Sequence, residues 1–426
     1  MNRNRKVVVS QLGARMHYAV PRIMASEGVL AHFYTDICAT KGLPRLLRAL
    51  PSQTLPPALE RLAARRPIGI PADLISDFPL FGMLSAFRRL RGKDVLDETR
   101  HAVWAGSSFS KLVASRGFRG ASGLYAFSGD ALEQLREAKK QRLWTAVEQM
   151  IAPREVVEAL HNGEVERFPE WAAQSENPFA QAFIDREKAE WELADIIVCP
   201  SEFVRNHVMA CGGPVDRCVV VPYGVNQGHI YDRSIRAPGP LRVLTVGEVG
   251  LRKGSPYVVK AAELAGELAV FRMVGGTKVP RSVQEEIAQW VELRGVVPRS
   301  QITEEFRRAD VFLLPSICEG SATAVYEALA AGLPVITTEN TGSVVRDGVD
   351  GFIVPPRQPD SIVTGLLRLA EDDGLRQWMS HNAAERAKEY TVEAYGDRLI
   401  AALGLSGGAT TALQVDGKPI GGYALA

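Results

Sequence analysis

Two glutamates, Glu319 and Glu327, offer the clearest chemistry in this sequence of 426 residues. They lie eight positions apart, between the apolar run 310–315 and the helix-ending glycine Gly332. Each carboxylate can accept two hydrogen bonds and can therefore hold a vicinal diol of a sugar or a ribose. Because about two helical turns separate them, Glu319 is expected at the mouth of a crevice and Glu327 deeper along its helix. The same spacing is also typical of solvated helix charges, so the surrounding elements decide between the two interpretations.

Small residues, Gly320 and Ser321, connect the run 310–315 to the helix that contains Glu327. In such a strand–loop–helix unit the first backbone N–H groups of the helix point outwards, and the helix dipole favours an anion such as phosphate. Ser321 is expected to cap this helix, because a serine oxygen accepts a hydrogen bond from an early N–H of the helix. The segment therefore predicts a phosphate site beside a diol site.

At these residues the chain resembles the family 4 retaining glycosyltransferases, whose signature is Glu, seven residues, Glu in the same strand–loop–helix setting. The resemblance extends to the stretches 246–254, 342–356, 194–201 and 221–226, and it covers about 185 to 400. It implies two Rossmann-like lobes that face a cleft, and transfer of a sugar from a nucleotide diphospho-sugar with retained anomeric configuration.

Residue by residue, the resemblance implies the following roles in the donor site. Glu319 would bind hydroxyls of the transferred sugar, and Glu327 would bind the nucleotide ribose. Lys253, which precedes a glycine in the first strand–helix connection of the lobe, would grip the donor diphosphate. Thr323 and Ala324 would offer backbone N–H groups to the phosphates.

Two further positions are expected at the same crevice. Val297 matches the position at which the nucleobase meets the backbone in the family. Gly275 and Gly276 end a strand there, although a pair of glycines is equally typical of a simple tight turn.

The diphosphate clamp departs from the family. Many members have an arginine directly after the glycine that corresponds to Gly247, whereas this chain has Glu248, whose charge opposes a diphosphate. Arg252, next to Lys253, can replace the missing positive charge, or it is an exposed loop arginine. We expect Arg252 in the clamp, because two cations stabilise the charge that accumulates on the leaving diphosphate.

The N-terminal lobe resembles the family less closely. The family has a Gly-Gly loop after the first strand, and this chain has only Gly13 there. Arg15 and His17 are candidate contacts for the acceptor or a phosphate. The alternative for His17 is a histidine packed at the start of a helix. Many members have a histidine at the end of a strand in the middle of this lobe, where this chain has Glu148 and Gln149. His161 lies too far along the next helix to replace that histidine. Glu148 either orients the acceptor hydroxyl or has a structural role.

The elements that position these residues alternate between strands and helices, which predicts doubly wound α/β sheets. Apolar runs rich in Val and Ile are typical of parallel strands covered on both faces. The predicted strands are 7–10, 31–35, 124–128, 143–149, 195–200, 218–222, 242–247, 270–274, 293–297, 310–315, 334–338 and 352–355. The predicted domains are an acceptor lobe at 1–225, a donor lobe at 226–382, a crossover helix at 383–403 that braces the N-terminal lobe, and a mobile tail at 404–426.

Residues 41–100 interrupt this alternation with short helical patterns and a basic surface. The basic side chains include Lys41, Arg45, Arg48, Arg61, Arg65, Arg66, Arg88, Arg89, Arg91 and Lys93. One interpretation is peripheral contact with an anionic membrane surface, or with a lipid-linked or other anionic acceptor. The other is a solvated face whose arginine stems pack on neighbouring residues.

Composition limits the remaining function classes. The chain is 46% hydrophobic and 23% charged, with a net charge of +1, which gives no reason to expect nucleic acid as a partner. No apolar run reaches the ~18–20 residues of a membrane-spanning helix. Scattered cysteines without metal-ligand spacing fit a reduced setting, so a cytoplasmic protein is expected, with peripheral contact at the inner membrane face as the possible addition.

The sequence therefore favours a metal-independent glycosyltransferase that needs a nucleotide-sugar donor, a sugar, lipid-linked or small-molecule acceptor, and no further cofactor. The main alternative is a catalytically degenerate scaffold of this fold that binds a nucleotide or a partner protein. Glu248 and the missing histidine support it, and the intact set Glu319, Glu327 and Lys253 opposes it. A nucleotide-sugar epimerase of the same architecture is a second alternative, and an NAD-dependent enzyme is disfavoured because no Gly-x-Gly-x-x-Gly follows an early strand.

Overall fold

The chain folds into two parallel α/β sheets with helices on their faces, as the sequence predicts. The computed structural model describes residues 5–39, 62–63, 65–91, 95–172, 177–226, 239–405, 414–415 and 418–419. The strands of the two parallel sheets are β1 Val7–Gln11, β2 Leu30–Thr35, β3 Ile75–Asp77, β4 Gly123–Phe127, β5 Trp144–Glu148, β6 Ile196–Cys199, β7 Cys218–Val220, β8 Leu241–Val246, β9 Ala269–Val274, β10 Val291–Leu293, β11 Val311–Leu314, β12 Val335–Thr337 and β13 Gly351–Ile353.

The helices run between these strands and are mostly amphipathic. They are α1 Ala19–Ser26, α2 Pro79–Arg91, α3 Val95–Arg116, α4 Leu132–Lys140, α5 Arg154–Arg167, α6 Ala180–Leu193, α7 Glu202–Ala210, α8 Ser255–Ala265, α9 Arg281–Ile287, α10 Arg299–Arg308, α11 Thr323–Ala330, α12 Pro359–Glu371, α13 Asp373–Lys388 and α14 Val392–Ala402. Among the described residues, no helix has both the length and the apolar character needed to cross a membrane.

Each sheet has the strand order of a doubly wound fold. The N-terminal sheet runs β3-β2-β1-β4-β5-β6-β7 and the C-terminal sheet β10-β9-β8-β11-β12-β13. The strand order reverses between β1 and β4 in one lobe and between β8 and β11 in the other. Ligands of open α/β sheets bind at the carboxyl ends of the strands beside such a reversal, so this topology predicts where each lobe presents its site.

Two strand predictions need correction. The structure adds β3, a short strand beside β2 that the sequence reading missed. The strand predicted at 293–297 instead covers Val291–Leu293. It ends there because Gly295 takes a φ of 68° and Pro298 follows, neither of which continues a strand.

The single crossover helix predicted at 383–403 is instead the end of α13 followed by α14. The hydroxyl of Thr391 accepts a hydrogen bond from the amide of Ala394 at 3.1 Å and caps α14. The break also lets the chain at 222–225 approach: the amide of Val225 donates to the carbonyl of Tyr390 at 3.0 Å. As predicted, α14 crosses back to the N-terminal lobe, where it packs on α1.

Most of the linker predicted at 226–240 and of the tail predicted as mobile at 404–426 lies outside the described residues. The helical insertion predicted at 41–100 is described in part, as α2 and the beginning of α3.

Candidate active site

The candidate site lies at the carboxyl ends of β8 and β11, where the strand order of the C-terminal sheet reverses. The loops after these strands are bound to each other, because the amide of Ile317 donates to the carbonyl of Arg252 at 2.9 Å. Gly254 has a φ of 70°, and a Cβ there would lie 2.0 Å from the carbonyl oxygen of Pro315. Only glycine fits this position, and it brings Arg252 and Lys253 close to the loop that contains Glu319.

Glu319 contacts both predicted cations. Its Oε1 lies 2.8 Å from Nζ of Lys253, and it also accepts a hydrogen bond from Nη1 of Arg252. The Glu319 side chain is largely buried, as is that of Lys253, whereas Arg252 is half-buried. The backbone N–H of Glu319 donates to the carbonyl of Asn340 at 2.9 Å, which holds the residue in place. The structure therefore joins three residues that the sequence singled out separately.

Helix α11 begins beside this cluster. Its first residue, Thr323, is exposed, and Ala324 follows on the first turn, so their backbone N–H groups belong to the part of a helix that has no internal acceptor. Ser321 does not cap the helix, contrary to the sequence prediction. Its hydroxyl is instead hydrogen-bonded to the hydroxyl of Tyr326 at 2.6 Å, and the helix starts after Ala322.

Glu327 lies one turn beyond Thr323 on the same face of α11, because residues four apart on a helix are neighbours. Its side chain is half-buried. Glu319 and Glu327 thus flank the start of α11 from the loop and from the second turn. The start of a helix favours an anion, and the two carboxylates can accept hydrogen bonds from hydroxyl groups.

The loops that follow β8, β9 and β10 pack together at the same end of the sheet. The amide of Gly275 donates to the carbonyl of Gly295 at 2.9 Å, and a Cβ on Gly275 would lie 1.8 Å from the carbonyl oxygen of Gly247. Gly275 is therefore required for the close packing of two loops. Val297, on the segment after β10, is half-buried against the core of the lobe.

Glu248 forms its ion pair with a third cation, Lys278. Its carboxylate lies 3.6 Å from Nζ of Lys278, which also contacts Glu98 of the N-terminal lobe at 2.6 Å. These two carboxylates, Glu98 foremost, raise the pKa of Lys278. Because Glu248 has this partner and is half-exposed, its negative charge is offset outside the clamp.

The two lobes meet at Gly320. Its carbonyl accepts a hydrogen bond of 2.5 Å from the hydroxyl of Ser201 in the N-terminal lobe. A Cβ on Gly320 would lie 1.8 Å from the carbonyl oxygen of Met150, the second residue after β5. Gly320 was predicted to bind the donor, whereas the structure places it in the contact between the lobes.

The loop after β1 in the N-terminal lobe has an uncommon backbone. Met16, His17 and Tyr18 have φ values of 44°, 51° and 61°, a region that side chains other than glycine rarely adopt. Consecutive residues in this region are held by their surroundings and are frequent at functional sites. Arg15 and His17 are both exposed.

Gly13 is the glycine predicted to approach a ligand in this loop. With a φ of 81° it fits the left-handed region, but its N–H donates to Oδ1 of Asp36 at 3.1 Å. Asp36 is in turn paired with Arg65 at 2.6 Å. The amide of Gly13 is therefore used within the protein, and Arg15 and His17 are the groups of this loop that reach solvent.

Glu148 is buried at the end of β5 in the N-terminal lobe. It accepts hydrogen bonds from the hydroxyls of Tyr125 at 2.6 Å and Tyr223 at 2.8 Å, and burial raises its pKa. Of the two interpretations of Glu148, these contacts favour the structural one. His161 is half-buried on α5, and burial lowers its pKa.

Asp130 was not predicted from the sequence. It follows β4, where the strand order of the N-terminal sheet reverses. Burial raises its pKa to about 7, although Arg15 and Arg186 partly oppose this effect. The signal in the sequence was the run Ser128, Gly129, Asp130 directly after a buried strand, a place where α/β sheets present polar groups to ligands.

Known proteins resemble this chain in both sequence and fold. Residues 240–372 match the family model described as glycosyl transferases group 1. The glycosyltransferase WcaL of Salmonella typhimurium, assigned to colanic acid biosynthesis, is 27% identical over 223 residues, which are 48% of this chain and 54% of that protein. D-inositol 3-phosphate glycosyltransferase of Paenarthrobacter aurescens is 29% identical over 202 residues, 42% of this chain and 49% of that protein. The chain thus spans about half the length of these curated relatives.

Solved structures share the fold over nearly the whole chain. The structure of Anabaena HepE in complex with UDP superposes with a TM-score of 0.60 at 12% identity, and the match covers 94% of this chain and 99% of that one. Sucrose-phosphate synthase from Thermosynechococcus elongatus gives a TM-score of 0.59 at 15% identity, over 92% of this chain and 97% of that one. At these identities the likeness shows the two-lobe GT-B fold.

Proposed function

We propose that this chain, whose residues 240–372 match the group 1 glycosyl transferases, transfers a sugar from a nucleotide diphospho-sugar to an acceptor hydroxyl, with retained anomeric configuration. The observation that carries this proposal is the contact of Glu319 with Lys253 and Arg252 beside the start of α11. Cations, a helix N-terminus and a carboxylate at one strand reversal suit a ligand with a diphosphate and a sugar.

In the proposed reaction, the bond between the sugar's anomeric carbon and the diphosphate oxygen breaks, and the acceptor oxygen bonds to that carbon. The acceptor's proton passes to the leaving diphosphate, which is the general base that the resemblance suggests. Lys253, Arg252 and the N–H groups of Thr323 and Ala324 stabilise the charge that develops on the diphosphate. With this positive charge in place, we propose that no divalent metal is required.

The remaining groups select the donor. Glu319 accepts hydrogen bonds from the sugar hydroxyls, and Glu327 accepts them from the ribose. Val297 contributes backbone to the nucleobase pocket. A nucleoside diphosphate is a ligand of a similar fold, since the structure of HepE contains UDP.

The acceptor is proposed to bind the N-terminal side of the cleft, near Arg15 and His17, which are exposed at the carboxyl end of β1. It is a hydroxyl-bearing sugar, lipid-linked sugar or small molecule. Closure of the two lobes, which touch at Gly320, excludes water that would otherwise hydrolyse the donor.

The test begins with a thermal-shift panel of UDP-, GDP- and ADP-sugars on the full chain. The stabilising donor is then used to measure release of the free nucleoside diphosphate with candidate acceptors, in EDTA and in Mg²⁺. NMR of the product gives the anomeric configuration. We expect stabilisation by one nucleotide class, equal rates with and without EDTA, and a retained anomer.

The matched variants are Glu319→Ala and Glu285→Ala, the second being an exposed glutamate on α9 of the same lobe. We expect Glu319→Ala to abolish transfer without loss of the folded state, and Glu285→Ala to retain activity. Unchanged turnover in Glu319→Ala would contradict the proposed site. Stabilisation by no nucleotide sugar would favour the scaffold alternative.

A further inference from the structure

The outward face of α2 is apolar. Five large hydrophobic side chains follow one another at helical spacing along it and are exposed: Leu80, Met83, Leu84, Phe87 and Leu90, which we call the α2 stripe. Leu80 is 79% exposed and Leu90 is 77% exposed. A surface helix of a globular domain normally turns its apolar side to the core and its polar side to water. The α2 stripe has the reverse orientation.

The inward face of α2 shows that this orientation is fixed by packing. The buried Phe81 contacts Trp104 of α3 at 5.7 Å between ring centroids. The hydroxyl of Ser85 is hydrogen-bonded to Nε2 of His101 at 3.1 Å. The guanidinium of Arg88 covers the ring of Trp104 at 3.9 Å. Since the opposite side of the helix is occupied by α3, the α2 stripe cannot turn inward without loss of these contacts.

The sequence of helix α2 is positively charged. Helix α2 contains three arginines and no acidic residue. Over the insertion 41–100 the sequence has eleven Lys and Arg residues and six Asp and Glu residues, a net charge of +5, whereas the whole chain has a net charge of +1. An apolar helix face flanked by cations has the composition of helices that lie in the interface of an anionic bilayer.

We propose that the α2 stripe and its arginines dock the N-terminal lobe on an anionic lipid bilayer. A bilayer accepts the apolar side chains among its acyl chains while its anionic headgroups neutralise the arginines. A second copy of this chain fits the stripe poorly, because it would bring the arginines of two α2 helices together.

The position of α2 relates this surface to the cleft. Phe78, just before α2, donates its amide to the carbonyl of Asp36 at 2.9 Å. A Cβ on Gly82 would lie 2.8 Å from Cβ of Ile37, so the first turn of α2 packs directly on the end of β2. Asp36 also holds Gly13 in the loop after β1. Helix α2 is therefore connected through Asp36 to the loop that is proposed to bind the acceptor.

The test is co-sedimentation of the full chain with vesicles of phosphatidylcholine and with vesicles that contain about one third phosphatidylglycerol. We expect binding to the anionic vesicles alone, and release at about 0.5 M NaCl, where screening shortens the range of the attraction. Binding is measured without turnover, so the result is independent of the proposed transferase activity.

The test variant replaces Leu84, Phe87 and Leu90 by glutamine together. We expect its partition coefficient on anionic vesicles to fall at least tenfold, because three exposed apolar side chains no longer enter the bilayer. Its circular dichroism and thermal midpoint should match the wild type, since the replaced side chains are exposed.

The control variant replaces Leu264, Leu367 and Trp378 by glutamine, three exposed hydrophobic residues on helices of the C-terminal lobe. It should bind vesicles as the wild type does. The proposal is overturned if the wild type fails to bind anionic vesicles, or if both triple variants bind equally well. It is also overturned if light scattering shows a dimer that only the α2 variant loses, because the stripe would then be a self-association surface.

Discussion

The ammonium nitrogen of Lys253 lies 2.8 Å from Oε1 of Glu319. The cation proposed to hold the donor diphosphate is therefore paired with the carboxylate proposed to hold the transferred sugar. A diphosphate that enters the site must share Lys253 with Glu319 or displace the Glu319 carboxylate from it. The pair thus opposes binding of the nucleotide while it keeps both side chains in position, and the two effects can be separated by removing the charge of Glu319 alone.

Glu319→Gln should bind a free nucleoside diphosphate more tightly than the wild type and should transfer sugar far more slowly. We expect a Kd for UDP or GDP about three to ten times lower, because the two cations lose a competing charge. Turnover should fall by about 100-fold or more, as for the loss of other groups that stabilise a transition state. Isothermal titration and single-turnover kinetics measure the two quantities. Weaker nucleotide binding in this variant would show that the carboxylate itself helps to hold the nucleotide.

Glu327→Gln is the matched change on the ribose side. Its carboxylate is proposed to accept both ribose hydroxyls, and an amide offers only one acceptor atom. The Kd for the same nucleoside diphosphate should therefore rise by about tenfold, the usual effect of losing a hydrogen bond to a charged group. The two glutamates, eight positions apart, are thus expected to change nucleotide affinity in opposite directions. Parallel shifts would contradict the assignment of separate roles.

Arg252→Ala tests whether Arg252 supplies the second cation of the diphosphate clamp. Arg252 contacts Glu319, while Glu248 faces Lys278 instead of the two clamp cations. Loss of Arg252 should raise KM and lower kcat, each by about tenfold, because one of the two cations that stabilise the leaving diphosphate is removed. Arg252→Lys should recover part of kcat. Arg281→Ala, which changes a 92% exposed arginine of the same lobe, serves as the control and should leave both constants unchanged.

Both sheets could be predicted from the sequence because their strands are buried on both faces and read as continuous apolar runs. Strand β3 escaped prediction since Ile75–Asp77 is short and contains Ser76 and Asp77, which give no apolar run. The break between α13 and α14 also escaped, because it depends on the chain at 222–225, far away in sequence, which approaches Tyr390.

The donor side of the site could be predicted because its residues are close in sequence to a recognisable strand–loop–helix unit. The contact between the lobes could not. Ser201 and Gly320 are 119 positions apart, and nothing local indicates that a serine hydroxyl will meet that carbonyl. Ser321 shows the limit of a local rule. Serine is a preferred capping residue, but its hydroxyl is hydrogen-bonded here to the hydroxyl of Tyr326, which lies on the buried side of α11.

Stability should decrease as the pH rises from about 6.5 to about 8, above the range in which His32, His101 and His161, whose pKa values are lowered by burial, act in the opposite direction. Burial raises the pKa of four acids in the N-terminal lobe: Asp130 to about 7, and Glu148, Glu187 and Glu190 above their ordinary value. Between the ordinary and the raised pKa, the folded state binds a proton that the unfolded state has lost. Each such group contributes stability at low pH that is lost as the pH rises, at ~1.4 kcal/mol per pH unit.

Asp130→Asn should reduce this dependence, because the amide does not ionise and keeps an oxygen that can accept a hydrogen bond. Urea unfolding at several pH values gives the free energy of unfolding for the variant and the wild type, and the two curves should differ most near pH 8. Glu285→Gln, an exposed change, should follow the wild type. Parallel curves for Asp130→Asn and the wild type would show that Asp130 is ionised throughout this range.

Gly320→Ala and Gly163→Ala should have opposite effects. A Cβ on Gly320 would lie 1.8 Å from the carbonyl oxygen of Met150, so alanine must push the two lobes apart. We expect a loss of ~1–3 kcal/mol in stability and at least a tenfold loss of transfer, since about 1 Å of misplacement disrupts a reacting geometry. Gly163 lies within α5, where a Cβ would meet only arginine side-chain atoms, Arg167 at 3.4 Å and Arg357 at 3.7 Å. Alanine there should add ~0.5–1 kcal/mol of stability and leave transfer unchanged. Thermal unfolding and initial rates measure both, and full activity in Gly320→Ala would mean that transfer does not need this contact between the lobes.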